Sequence, residues 1–159
     1  MKYGCFLPIL ILVISCQQPK QKPALAVEYD TLASKMQKSN LNLFTDTTFA
    51  ADYNTHAVYK NIITYCFDTL KQLNYVQNIN NSDTVLMFQA FYQNNKPFKL
   101  SAYRYNKKNN DVLGDAAYYY KGDSLFYSKE EGNIPGLPFM LTELRTNYPK
   151  LFAEKINTY

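Results

Sequence analysis

Two side chains in the middle of the chain have the types and spacing of a general base. Asp52 and His56 are four residues apart, so on a helix their side chains would meet on one face. A carboxylate that orients an imidazole is a common way for a protein to build a general base. The pair predicts either a small hydrolase or a local hydrogen-bonded pair at the edge of a core. No nucleophile or oxyanion donor is identifiable beside it.

Other catalytic, cofactor and metal sites find no support in the residue types. The chain has one histidine and three cysteines, whereas a zinc site usually takes several such ligands. It contains neither a glycine-rich phosphate loop nor a paired Cys-x-x-Cys. Cys66 lies ten residues beyond His56, about 15 Å along a helix, so direct Cys–His catalysis is not expected. We therefore predict no metal and no cofactor, and this favours a protein that is not an enzyme.

The charge of the chain argues against nucleic acid as a partner. Lysine and arginine total 17 against 13 aspartates and glutamates, which gives a formal net charge of +4. No basic cluster is longer than the pair Lys107-Lys108, whereas nucleic-acid interfaces need a basic patch or stripe. A hydrophobic fraction of 47% is typical of a globular domain rather than a disordered chain.

Tyrosines are concentrated in the predicted strands of the second half. Strict alternation places aromatic or apolar side chains on both faces of the sheet, which an open sheet with one wet face does not need. One face would carry Met87, Phe91, Tyr103, Tyr105, Tyr118 and Tyr120. The other would carry Leu86, Phe88, Ala90, Leu100, Ala102, Ala117 and Tyr119. Tyrosine suits stacking on sugars or anchoring a protein partner, so Tyr103, Tyr105, Tyr118 and Tyr120 predict a ligand platform, unless the C-terminal helix covers that face.

The chain begins with the layout of a secretory signal peptide. Lys2 precedes an apolar run over 5–14, and this run is shorter than the roughly 20 residues that span a membrane. The run leads into Val13-Ile14-Ser15-Cys16, which resembles the lipobox of bacterial lipoproteins. The resemblance is confined to about the first 16 residues. In that family the signal peptide is cut before the cysteine, whose sulfur carries a diacylglycerol, and the new amino terminus is usually acylated.

The resemblance implies a location for the protein. Residues 1–15 would be removed, Cys16 would be lipidated, and residues 16–23 would form a polar tether to the membrane. Gln17 stands where the family typically has aspartate for inner-membrane retention, so the resemblance implies the outer membrane, with the domain facing the periplasm or the cell surface. Cys5 would leave with the signal, so Cys66 would be the only free thiol. An ordinary signal peptide and a buried N-terminal helix with an incidental cysteine are the alternatives.

The order of the predicted helices and strands indicates one α+β domain over residues 24–159, which must position the candidate site residues. A first helix spans 24–38, a loop spans 39–47, and a longer helix over Thr48–Leu73 carries Asp52 and His56. Four strands joined by short turns then predict an antiparallel meander, namely 84–92, 98–105, 112–120 and 124–129. A C-terminal helical region spans 139–157, and Pro149 is expected to split or kink it. We expect the helices to pack on this four-stranded sheet.

Three classes of function are compatible with these features. The favoured one is a non-enzymatic, lipid-anchored cell-envelope protein that binds a protein, a peptide or a glycan. The second is a small envelope hydrolase that uses Asp52 and His56. The third is an inhibitor or immunity lipoprotein that plugs its target with an exposed loop such as Gly132–Pro138. A pocket around His56 would favour the hydrolase, a flat aromatic sheet face would favour binding, and a protruding loop would favour the inhibitor.

Overall fold

A single antiparallel sheet organises the domain. The computed structural model describes residues 21–39, 41–51, 58–82 and 84–158. Within these ranges seven strands lie side by side in sequence order, each antiparallel to the next, so the sheet is a simple meander. The strands are β1 (Asn42–Ala51), β2 (Val58–Phe67), β3 (Leu73–Asn81), β4 (Thr84–Gln93), β5 (Lys96–Asn106), β6 (Val112–Lys121) and β7 (Ser124–Gly132).

Helices precede and follow the sheet. The helix α1 (Ala24–Lys38) has the predicted bounds, and the C-terminal segment consists of α2 (Leu137–Thr142), a π-helical turn over 143–147, α3 (Tyr148–Lys155) and a final 3₁₀ turn over 156–158. Pro149 lies in the first turn of α3, where its missing N–H is not needed. The Tyr148 N–H instead reaches back to the Glu143 carbonyl. The irregularity expected at Pro149 is thus a wider helical turn just before it.

The predicted fold class, helices packed on a four-stranded meander, is wrong. The chain forms mostly one seven-stranded sheet with a short N-terminal helix and a C-terminal helical segment. The predicted loop over 39–47 and the predicted helix over Thr48–Leu73 are replaced by β1 and β2. The asparagine-rich segment 73–81, for which no strand was predicted, forms β3. The four strands foreseen in the second half are β4 to β7 of the larger sheet.

The composition of β2 explains why its pattern suggested a helix. Ile63, Tyr65 and Phe67 are buried on one face of the sheet, while Ile62 and Cys66 are half-buried on the other. Because both faces carry apolar side chains, the period of two is weak, and apolar residues also recur at helical spacing. In the structure this segment is a strand, hydrogen-bonded to β1 on one side and to β3 on the other. Its β-branched and aromatic residues also favour a strand.

The main core lies between the sheet and the C-terminal helices. We call this side of the sheet the C-terminal face and the opposite side the α1 face. Tyr65, Leu100 and Leu144 are fully buried in the core of the C-terminal face. The Phe44 ring stacks on the Tyr65 ring with centroids 4.7 Å apart and on the Phe152 ring at 6.0 Å. These contacts connect the edge strand β1 to α3, so the C-terminal helices cover their face out to that edge.

The helix α1 is fixed to the opposite face by a shared carboxylate. Asp30 accepts a hydrogen bond from the Tyr119 hydroxyl at 2.7 Å, lies 2.8 Å from the Lys99 ammonium and also pairs with Lys22. Burial by itself raises the pKa of Asp30, but the hydrogen bonds from Lys22, Lys99 and Tyr119 outweigh that effect and hold the pKa below its usual value. The carboxylate therefore stays charged near neutral pH and holds the middle of α1 over β5 and β6.

Two buried tyrosine hydroxyls provide a matched test of this core. The Tyr92 hydroxyl donates to the Leu144 carbonyl, whereas the Tyr65 hydroxyl has no hydrogen-bond partner among the described residues. We expect Tyr92→Phe to lower the free energy of unfolding by about 1–3 kcal/mol, because it leaves a buried carbonyl without its donor. We expect Tyr65→Phe to leave that free energy unchanged or to raise it by up to about 1 kcal/mol.

Urea unfolding measures both changes as shifts in the transition midpoint at an unchanged slope. A loss of stability in Tyr65→Phe as large as that in Tyr92→Phe would mean that the Tyr65 hydroxyl is bonded.

Candidate ligand-binding face

The structure divides the four tyrosines of the predicted platform between the two faces of the sheet. Tyr103 and Tyr105 lie half-buried on the α1 face. Tyr118 and Tyr120 are buried in the core beneath the C-terminal helices. The first two tyrosines therefore come together, and the other two do not join them.

The register between β5 and β6 explains this division. Alternation fixes which residues of one strand share a face, but it does not fix how that face aligns with the next strand. The structure pairs Lys99 with Tyr119 and Ser101 with Ala117, so Tyr119 and Ala117 lie on the α1 face. The assignment of these two residues to the face of Leu100 is therefore wrong. Residues 118–120 are all buried, so burial preference alone could not have revealed the alignment.

The helix α1 covers only one end of its face. Its buried and half-buried side chains pack on Cys66, Tyr75, Phe91 and Phe98, which lie near the ends of β2 to β5. Further along the same strands, half-buried apolar side chains follow one another across the sheet, and no helix in the described part of the chain lies above them. We call these residues the open platform: Ile62, Ile79, Met87, Tyr103 and Tyr105. The first four are direct cross-strand neighbours on β2 to β5 and form one continuous stripe.

A row of neutral polar side chains separates α1 from the open platform. In register across β2 to β5 these residues are Thr64, Gln77, Gln89 and Ser101. The buried Gln89 side chain donates from Nε2 to the Tyr75 hydroxyl at 2.8 Å and accepts at Oε1 from Ser101 Oγ at 3.4 Å. Gln77 Nε2 lies 3.1 Å from Met87 Sδ. Gln77, Gln89 and Ser101 thus border the apolar stripe in positions fixed by their own contacts.

A groove of about 340 Å³ opens at the C-terminal end of α1 and continues into this polar row. Gln77 and Gln89 line it together with Met36, Leu43 and Cys66. Burial raises the pKa of the Cys66 thiol, so the sulfur is held in its protonated, weakly nucleophilic form. The groove therefore offers neutral polar and apolar contacts rather than a reactive thiolate.

The two residues of the predicted hydrolase site, Asp52 and His56, lie outside the described part of the chain. The helix that was expected to align them is contradicted on both sides, because β1 ends at Ala51 and β2 begins at Val58. In the described ranges, no group of three or more histidine, cysteine, aspartate or glutamate side chains could hold a metal ion. Cys16 and the rest of residues 1–20 also lie outside the description.

The loop considered for an inhibitor does not protrude. Within Gly132–Pro138, Ile134 and Leu137 are buried in the core of the C-terminal face. Gly132 has a φ of +71°, and a Cβ there would lie 2.4 Å from the Leu113 carbonyl oxygen, so only glycine fits. Two buried side chains and this close approach hold the loop against β6.

Comparison with known proteins identifies no protein similar to this chain. No protein-family model, no curated protein and no solved structure matches the chain. Over the residues that the structure describes, no helix is long and apolar enough to cross a membrane.

The sequence analysis missed the polar row, although a signal for part of it was present. Within β4, alternation places Gln89 between Met87 and Phe91 on one face. A glutamine flanked by apolar residues on a buried face needs hydrogen-bond partners, which here are Tyr75 and Ser101. Those partners come from β3 and β5, so they could be named only once the strand order was known.

Proposed function

We propose that this chain is a lipid-anchored cell-envelope protein that binds a glycan on its open platform. One observation carries the proposal. A continuous, half-buried apolar stripe that ends in Tyr103 lies beside a row of amides and hydroxyls with no helix of the described ranges over it, whereas the opposite face of the same sheet is covered by helices. A partly exposed apolar stripe bordered by polar groups is a common form of binding surface.

The chemistry of the platform favours a polyhydroxylated ligand. None of the five platform residues is charged. Tyr103 and Tyr105 present rings on which the apolar face of a sugar can stack. Gln77 and Thr64, half-buried beside the stripe, present an amide and a hydroxyl that suit sugar hydroxyl groups. The stripe crosses four strands, about 14 Å from β2 to β5, which suits a short oligosaccharide rather than a single ring.

The lipid anchor is supported by the first residues of the sequence. A basic residue, an apolar run, a small residue and Cys16 follow one another in the order of a lipobox. Lys22, six residues after Cys16, is already bonded to Asp30 of α1, so the tether between the acyl chains and the domain would be short. Two or more acyl chains on Cys16 would suffice for stable anchoring.

Metabolic labelling with a radioactive fatty acid tests the anchor. We expect the full chain to incorporate the label and to fractionate with membranes, and Cys16→Ala to lose the label. Cys66→Ala is the matched control and should keep it, because that thiol lies within the folded domain. Label retained in Cys16→Ala would contradict lipidation at this residue.

Calorimetric titration with chitotetraose, and in parallel with an extended heptapeptide, tests the platform. We expect the Tyr103→Ala/Tyr105→Ala double variant to bind the oligosaccharide roughly 10-fold to 100-fold more weakly, because two stacking rings are lost. Phe139→Ala is the matched control, since Phe139 is 66% exposed on α2, away from the platform. It should bind as the unmodified chain does.

Equal binding by the double variant and the unmodified chain would contradict the platform as the site. Binding of the heptapeptide but not of the oligosaccharide, abolished in the double variant, would replace a glycan by an extended peptide as the ligand.

A further inference from the structure

One end of the sheet is the place where the tether joins the domain. Because the strands form an antiparallel meander, the turns over 68–72, 94–95 and 122–123 lie at the same end, which we call the tether end. Gln21 and Pro23 line a groove with residues 125–128 at the start of β7. The Lys22 ammonium lies 4.8 Å from the centroid of the Tyr119 ring, close to the end of β6. The described chain therefore enters the domain at this end.

Exposed lysines are distributed across the tether end. Lys71, Lys96 and Lys121 lie in or beside its three turns, and Lys150 on α3 lines one groove with Lys71 and Asn95. These lysines extend from β2 to β7, so positive charge is spread over most of the width of the sheet.

The two acidic side chains in these turns are already engaged. Asp123 pairs with Lys96 at 3.1 Å, and the Asp68 carboxylate accepts hydrogen bonds at 2.9 Å from the amides of Leu70 and Gln72. Because Lys96 and Asp123 neutralise each other, and Asp68 offsets one more of the four lysines, these six side chains leave two positive charges in excess.

Two large apolar side chains lie exposed in or beside the same turns. Leu70 is 77% exposed and Leu125 is 51% exposed. Exposed leucines among lysines are the combination with which peripheral proteins contact a lipid interface, since the leucine enters the headgroup boundary and the lysine pairs with an anionic headgroup.

The length of the tether decides which end can reach the membrane. From Cys16 to Lys22 the chain takes six steps, so it reaches at most about 20 Å however it is arranged. A ten-residue strand is about 33 Å long, which is more than the reach of the tether. The domain therefore cannot stand on the bilayer with the opposite end of the sheet down and the tether end uppermost. Only the tether end, or a side of the sheet next to it, can contact the membrane surface.

We propose that the tether end docks on the surface of an anionic bilayer, with Lys71, Lys96, Lys121 and Lys150 at the headgroups and Leu70 and Leu125 at the interface. This inference rests on the proposed lipid anchor at Cys16. It deepens that function, because it holds the open platform away from the membrane. Tyr103 lies seven residues along β5 from Lys96, so its backbone stands about 23 Å from the tether end.

Acetylation of lysines, measured by mass spectrometry, tests the docking on the full lipoprotein. The protein is acetylated in vesicles of phosphatidylethanolamine and phosphatidylglycerol and, as reference, in neutral detergent. We expect the vesicles to slow acetylation at Lys71, Lys96, Lys121 and Lys150 about fivefold, the ratio that attraction of one lysine to an anionic surface supports. Lys107 and Lys108, in the turn at the opposite end, should react equally in both preparations.

Charge reversal provides the matched variants. Lys121→Glu/Lys150→Glu should restore rapid acetylation of Lys71 and Lys96 on vesicles. Lys107→Glu/Lys108→Glu changes the net charge equally but at the opposite end, and should leave their protection unchanged. Vesicles of phosphatidylcholine alone should also abolish most of the protection, because they lack anionic headgroups.

The outcomes separate the two proposals. Intact mass reports whether Cys16 carries acyl chains, and an unacylated Cys16 would overturn the anchor and the docking together. An acylated protein whose lysines react equally at both ends would overturn the docking and leave the anchor standing. Protection that persists on phosphatidylcholine would overturn the role of anionic lipid.

Discussion

The structure depends on a mismatch between one large sheet and the helices available to cover it. Seven strands at their usual spacing make a sheet about 29 Å wide, and each strand is about 33 Å long. The helix α1 has 15 residues, so it is about 22 Å long and about 10 Å across. Lying across the strands, α1 spans most of the width of the sheet but only about a third of its length. The C-terminal helices bury their own face, whereas none of the described helices covers the rest of the α1 face.

The sequence predicted the parts of this fold that depend on local signals. The bounds of α1 and the strands β4 to β7 follow from apolar spacing and from turn residues such as Gly122, which has a φ of +61°. The strand β2 was missed because Ile62 and Ile63 are both apolar and face opposite sides, so its pattern has no clear period. Much of β1 was missed because the asparagines and threonines of 39–47 are typical of a loop. The division of the tyrosines depends on the register between β5 and β6, which is a long-range property that no local pattern carries.

The open platform and the proposed anchor lie towards different ends of the same domain. The described chain begins beside Tyr119, where Asp30 holds α1 to the sheet, whereas Tyr105 lies towards the far end of β5. The Asp30 carboxylate therefore fixes the position of α1, and with it the extent of the platform left open. Met87 and Gln77 lie at the border between the apolar stripe and the polar row. A ligand would meet both kinds of contact there, away from the proposed anchor.

Nitration of tyrosine under native conditions tests the unequal cover of the two faces most directly. The reaction needs an accessible phenol ring, and burial both shields the ring and raises the pKa of Tyr118 and Tyr120. Peptide mapping after brief nitration should show Tyr103 and Tyr105 modified well before Tyr118 and Tyr120. Equal rates at all four tyrosines, or faster nitration of Tyr118 and Tyr120, would contradict the division of the faces.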